Sequence, residues 1–254
     1  RGIVITYEYP LIERVRTLLR LEDLFDRLGY FLAKEHPHDH HVVLATLFEI
    51  LEVASRSELK SELLQELERQ RKALGAFKGS SEIDQDTLKR VLGDLDAAHS
   101  SLFNLSGKIG QHLRDNEWLN GLKQRMSIPG GASEFDQPHY HHWLHREPDA
   151  RLADLHAWIN PLVPIHNAVA VVMKLLRESG KPARVVATKG AFQQMLGGRV
   201  AQMVRLRVPR TVGDVPEISA NRYALNVRFT ALGSEPRPRQ ADTDIEFELT
   251  FCSL

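Results

Sequence analysis

The chain has 254 residues, 33 lysines and arginines balanced by 33 aspartates and glutamates, and a single cysteine, Cys252. That length supplies one large core or two small ones. Zero net charge excludes a global attraction to nucleic acid or to an anionic membrane, and one cysteine excludes an internal disulfide framework and suits a reducing compartment. Residues 3–7 are too short for the apolar part of a signal peptide, and the apolar run at 168–176 is interrupted by Lys174 and too short to span a bilayer. A soluble, cytoplasmic chain without membrane attachment is the expectation.

Two textures follow one another. From about 11 to 179 the apolar residues recur at three and four, the helical spacing, and from 182 onward they alternate as in half-buried strands. The fold class is therefore α+β. Residues 1–9 form an N-terminal strand that joins the β-domain, 10–180 a helical domain, and 181–254 a mainly antiparallel β-domain.

The alternation of Ile3, Ile5 and Tyr7 marks the N-terminal strand. The first helix starts near Leu11, with Val15, Leu18, Leu21, Phe25 and Leu28 as its apolar stripe and Gly29 as its predicted end. Arg16 and Arg20 are four apart and project from one face, away from that stripe. Further helices are predicted over 41–54, over 58–74 and, capped by Asp84, over a stretch that turns Leu88, Val91, Leu92, Leu95 and Leu102 inward. A fifth covers 108–126, followed by a breaker at 127–131. Pro138 opens a short helix carrying Tyr140, Trp143 and Leu144. Residues 149–179 read as a long helical stretch bent or split at Pro161 and Pro164.

In the strand region Val204, Leu206 and Val208 alternate with Arg205 and Arg207, and Tyr223, Leu225, Val227 and Phe229 alternate with Arg222 and Arg228. Such a sheet rests one face on a core and leaves the other in water. Residues 181–240 hold eleven lysines and arginines against three acids, a local excess of eight that overall neutrality conceals.

Catalytic chemistry finds little support. His36, His38, His40 and His41 surround a proline in a predicted surface loop, and His139, His141, His142 and His145 flank Trp143. His141 and His145 have metal-sharing spacing, yet the glutamate that a zinc-hydrolase motif places between such a pair is missing. Cys252 has no adjacent base to activate it, and the glycines match no phosphate or dinucleotide fingerprint. No catalytic residue, metal site or cofactor is predicted. The arginines are more informative, because guanidinium forms bidentate bonds with carboxylates and sheds water more easily than an ammonium. Arg16, Arg20, Arg114 and Arg125 on helices, with a neighbouring aromatic such as Trp143, suit a peptide bearing acids and apolar groups, and Arg222 and Arg228 are added from strand phase. Nucleic acid on the basic sheet is the alternative, disfavoured because the strand aromatics share phase with the core. A zinc enzyme built on the histidines is the third reading.

Several segments carry a family resemblance. They are Tyr7-Glu8-Tyr9-Pro10-Leu11 followed by Arg16-Thr17-Leu18-Leu19-Arg20, then Glu62 to Gln70, Ile109-Gly110-Gln111-His112-Leu113-Arg114, and Gln124 to Gly131 with Phe135-Asp136-Gln137-Pro138 and His142-Trp143-Leu144-His145. In order and spacing the chain resembles the ZapD family of bacterial cell-division proteins, which associate with FtsZ. The resemblance implies a helical domain plus a β-domain, a homodimer without catalytic activity, and binding to the C-terminal tail of FtsZ. It further implies cross-linking and bundling of FtsZ filaments that promotes Z-ring assembly at the mid-cell division site. Of the family's basic tail contacts, two match Arg20 and His141. The third falls on Glu117, a departure for which Arg114, Lys123 or Arg125 would have to compensate.

Overall fold

The structure, a computed structural model, describes residues 3–55, 58–81, 83–231 and 239–254. Glu235 and Arg237 of the basic stretch lie outside the described residues. The chain divides into two compact units, Leu18–Met173 and a second made of Arg1–Thr17 with Lys174–Leu254. It is α+β, with helices in the first part and antiparallel strands in the last.

Helix α1 runs Glu13–Leu32 and α2 Pro37–Ser55. Gly29 does not end α1: the Ala33 N–H bonds Gly29 O at 3.3 Å, and nothing there requires the left-handed backbone for which glycine is favoured. Burial of Leu18, Leu21, Leu24, Phe25 and Leu28 carries the helix through a residue of poor propensity. Helix α2 starts at Pro37, a proline in the first turn where no donor is lost. His38 and His40 therefore belong to a helix and not to the predicted loop, and His41, the predicted start of that helix, lies inside it. Helix α3 is Leu59–Gly75 and α4 Gln85–Phe103, the latter capped by the Asp84 carboxylate accepting from the Asp86 and Thr87 N–H groups.

The predicted helix over 108–126 is two helices, α5 Gln111–Arg114 and α6 Glu117–Met126. Gly110 takes φ 70°, and a Cβ there would lie 2.1 Å from Leu51 Cδ2. Asn116 has extended backbone, and its side-chain oxygen accepts the Leu119 N–H at 3.0 Å, so it caps a new helix instead of continuing the old one. Then come α7 Pro138–Leu144 and α8 Pro148–Ile159, a 3-10 turn at Asn160–Leu162, and α9 Val163–Glu178. By length and composition Pro148–Glu178 is apolar enough to cross a membrane. It is broken at the prolines, and Leu155, Ile159, Leu162, Ile165, Val169 and Val172 are buried, as in core helices.

The second unit contains β1 Val4–Pro10, β2 Ala183–Ala187, β3 Ala191–Met195, β4 Met203–Pro209, β5 Asp214–Ala220, β6 Ala224–Ala231, β7 Arg239–Gln240 and β8 Ile245–Cys252. One sheet has the order β1-β4-β8-β2, the other β3-β6-β5 with β7 beside β6. The N-terminal strand pairs with β4 from Val4 opposite Pro209 to Pro10 opposite Met203. Val204, Leu206, Leu225, Val227, Phe229, Phe247 and Leu249 form one core between the sheets, with the Phe229 and Phe247 rings 5.3 Å apart. Tyr223, read as a member of that buried phase, is 55% exposed. It precedes the first residue of β6 in a turn where Asn221 accepts the Tyr223 and Ala224 N–H groups, so strand periodicity does not reach it.

A basic surface on the helical unit

The arginines of α1 differ in what they already hold. Arg16 bonds Glu13 at 3.2 Å, Arg27 bonds Asp23 and Glu49, and Arg14 is also engaged. Arg20 is exposed and, among the described residues, has no ion pair or side-chain hydrogen bond. Asp23, one helical turn away, is occupied by Arg27, and Glu13, two turns away, by Arg16. Its guanidinium keeps all five donors for an external acceptor.

His141 sits on α7, and α7 is held firmly. Its Tyr140 and Trp143 are buried, with rings 6.0 Å apart. The Trp143 indole donates to Asp154 at 2.8 Å, and Trp118 of α6 and Trp158 of α8 complete an aromatic cluster at centroid spacings of 5.6 to 6.4 Å. Trp143 is thus a mounting residue whose indole N–H is already spent, with little surface left for a partner. His141 projects from the other side, its ring 4.4 Å from His145 and its Nε2 3.5 Å from the exposed Glu134 carboxylate. That distance and exposure make a weak contact that a stronger anion displaces.

Beneath α7 lies a polar network with little sequence signal. Arg151 of α8 is 3% exposed and donates to His40 Nδ1 at 2.9 Å, Glu35 O at 2.6 Å, Leu144 O at 3.0 Å and Arg146 O. The available hint is its spacing, four before Leu155 and eight before Ile159, on the buried stripe of α8. His40 Nε2 faces Lys34 O at 2.8 Å, so Nε2 carries the proton and Nδ1 accepts from Arg151. Burial, aided by the Arg151 charge, holds His40 below the usual histidine value of 6.5, against the Lys34 carbonyl and the charges of Asp39 and Glu35. Burial and His38 lower His41 likewise, where Nδ1 shares a 2.7 Å hydrogen bond with Tyr140 Oη. A histidine whose folded pKa is depressed contributes stability that is complete above its unfolded pKa and lost as pH falls through the folded one. Urea midpoints followed by tryptophan fluorescence, which reports on the helical unit because Trp118, Trp143 and Trp158 all lie there, should therefore fall below about pH 6.5. A flat profile from pH 7 to 5 would contradict the depressed pKa values of His40 and His41.

Arg114 is half-buried and donates to Ile109 O at 2.8 Å, leaving its other donors at a cleft of about 620 Å³ also lined by Lys60 and Lys108. Arg125, in the last turn of α6, is exposed and has no side-chain partner among the described residues. Glu117 occupies the first turn of the same helix, where a carboxylate complements the helix dipole. Lys123 is committed to Glu52 at 2.5 Å.

The sheet arginines are largely neutralised where they stand. Arg228 bonds Glu217 at 2.6 Å, Arg207 bonds Glu248 at 2.8 Å, and Arg205 lies 2.9 Å from Glu8. Arg222 precedes β6 and lies 4.4 Å over the Tyr223 ring. Among the described residues no group of three or more histidines, cysteines, aspartates or glutamates is placed to hold a metal ion.

A family model described as "ZapD: Cell division protein" matches residues 19–228. The chain is 53% identical over 251 residues to the cell division protein ZapD of Azoarcus sp. (strain BH72), covering 99% of this chain and 100% of the relative. It is 52% identical to the cell division protein ZapD of Aromatoleum aromaticum, covering 99% and 98%, and 49% identical to that of Janthinobacterium sp. (strain Marseille), covering 99% and 100%.

Proposed function

This chain belongs to the ZapD family of cell division proteins, and we propose that it acts in the cytoplasm, at the mid-cell division site, by binding the C-terminal tail of FtsZ. As a homodimer with two such sites it cross-links and bundles FtsZ filaments and so promotes Z-ring assembly; it needs no catalysis. A polymer that repeats its tail at every subunit turns two modest sites into high avidity.

The observation that carries this reading is the free guanidinium of Arg20, exposed beside arginines that are each already engaged. His141, on its anchored helix with only a weak contact to Glu134, supports it, as does the free Arg125. Residues fixed by buried aromatics present charge at low entropic cost, the condition under which a charge-assisted hydrogen bond is worth about 1.5–3 kcal/mol. The carboxylate partners of Arg205, Arg207 and Arg228 argue against nucleic acid on the sheet, because those charges are not available to phosphates.

Fluorescence polarisation with a labelled FtsZ C-terminal peptide tests the site. Wild type should bind saturably, Arg20→Ala should weaken binding by about tenfold to a hundredfold, and His141→Ala should weaken it less. Unchanged affinity of Arg20→Ala at both low and high salt would remove Arg20 from the site, and a wild type that neither binds the peptide nor bundles filaments in a light-scattering assay would overturn the reading.

A further inference from the structure

The split between β2 and β3 is unused by any function considered so far. A two-residue turn joins the strands, with Lys189 at φ 49° and Gly190 at φ 71°, and the Ala191 N–H bonds Thr188 O at 3.0 Å. After that single bridge the strands part: β2 pairs with β8 in one sheet and β3 with β6 in the other. Among the described residues each has one strand edge without a ladder partner, and such edges are templates for a further strand.

Residues of both strands line one cleft of about 430 Å³, Val185 of β2 and Gln194 of β3. Phe251 of β8 gives it an apolar wall, and Val200, 80% exposed, stands at its side. Among the described residues its charged groups are Lys181 and Arg199, and no carboxylate lines it. Lys181 is exposed without a side-chain partner among the described residues, and the Arg199 guanidinium rests 4.5 Å over the Phe251 ring, its edge free to donate. On the sheet faces nearby the arginines are matched by glutamates; here the cations are not.

We propose that this cleft binds an extended peptide segment of a partner protein, one that alternates carboxylate and apolar side chains, as an added β-strand. The period of two along a strand places apolar residues of such a peptide against Val185 and Phe251 and turns carboxylates towards Lys181 and Arg199. Backbone hydrogen bonds to a free edge supply affinity, and the unmatched cations select acidic over basic sequences. The site shares no residue with the Arg20 surface, so either stands without the other.

The probe is a fluorescein-labelled peptide of about ten residues alternating glutamate and valine, titrated in polarisation against the full chain. Saturable binding is expected, weakened at least about tenfold by Lys181→Gln with Arg199→Gln and unaffected by Arg20→Ala. Two further peptides are N-methylated on one or the other alternate set of amides. Methylation on the edge that pairs abolishes binding to the unaltered protein, and methylation on the opposite edge leaves it, because an added strand uses one edge of its backbone. The proposal is overturned by equal binding of both methylated peptides, by equal binding of a lysine–valine peptide, by tighter binding of oligothymidylate, or by no saturable binding in dilute buffer.

Discussion

Arg151→Leu is expected to remove about 3–5 kcal/mol of stability from the helical unit. The guanidinium is buried, yet its acceptors are three backbone carbonyls and one imidazole, with no carboxylate among them. Leu144 O belongs to the last residue of α7, where the helix dipole concentrates negative charge, and this carbonyl partly takes the place of a counter-ion. Leucine restores apolar volume but leaves the carbonyls of Glu35, Leu144 and Arg146 without their donor, and an unsatisfied buried acceptor costs about 1–3 kcal/mol each when water cannot reach it. Arg151→Lys should recover only part of the loss, because an ammonium cannot span four acceptors that a planar fork reaches. Urea denaturation read through tryptophan fluorescence measures all three proteins. A loss below about 1 kcal/mol for the leucine variant would mean that water enters and replaces the guanidinium.

The consequence reaches the proposed site. Arg151 ties α8 to the end of α7 and to the residues before α2, and α7 carries His141. A variant that folds with α7 loosened should keep Arg20 available while losing the positional precision of His141, so tail affinity should fall without any change in surface charge.

Much of this architecture is legible in the sequence, for identifiable reasons. Helical spacing reveals α1 to α4 and the Pro138 helix because each buries a continuous stripe, and Asp84 announces its helix because a capping carboxylate acts locally. The break between α5 and α6 is harder to read, since it depends on the close approach of Leu51 to Gly110, a contact between residues far apart in the chain. Alternation shows the strands but not that β2 and β3 enter different sheets, because pairing partners are not a local property. The exposed phase of Arg20 is legible, whereas its freedom is not: that depends on which neighbour Glu13 and Asp23 choose. Trp143 and His40 look like surface chemistry in the sequence and are core fixtures, since polar atoms in a core need partners that only the fold supplies.

Glu8→Ala is expected to cost about 2–3 kcal/mol in the β-unit, less than a fully buried pair because the carboxylate retains some exposure. Glu8 lies on edge strand β1 directly opposite Arg205 and accepts two parallel hydrogen bonds from Arg177, Nε to Oε1 and Nη2 to Oε2, each 2.8 Å. Arg205 Nε is 2.9 Å from Oε1 but off the hydrogen-bond axis, so it contributes charge and no directed bond. Burial would raise the Glu8 pKa, and the Arg177 hydrogen bonds with both guanidinium charges outweigh it and hold the carboxyl below its usual 4.5. A depressed carboxylate contributes stability that is present above its unfolded pKa and lost as pH falls through the folded one. Alanine removes that contribution and leaves two arginines facing each other. If repulsion is the larger part of the loss, Arg205→Met should return stability to Glu8→Ala while destabilising wild type, a sign reversal that a double-mutant cycle reads directly. Hydrogen exchange of residues 4–10 is the appropriate measure, since the chain's tryptophans lie in the other unit. Unaltered protection of β1 in Glu8→Ala would show that the seven-residue ladder with β4 holds the N-terminal strand without its ion cluster.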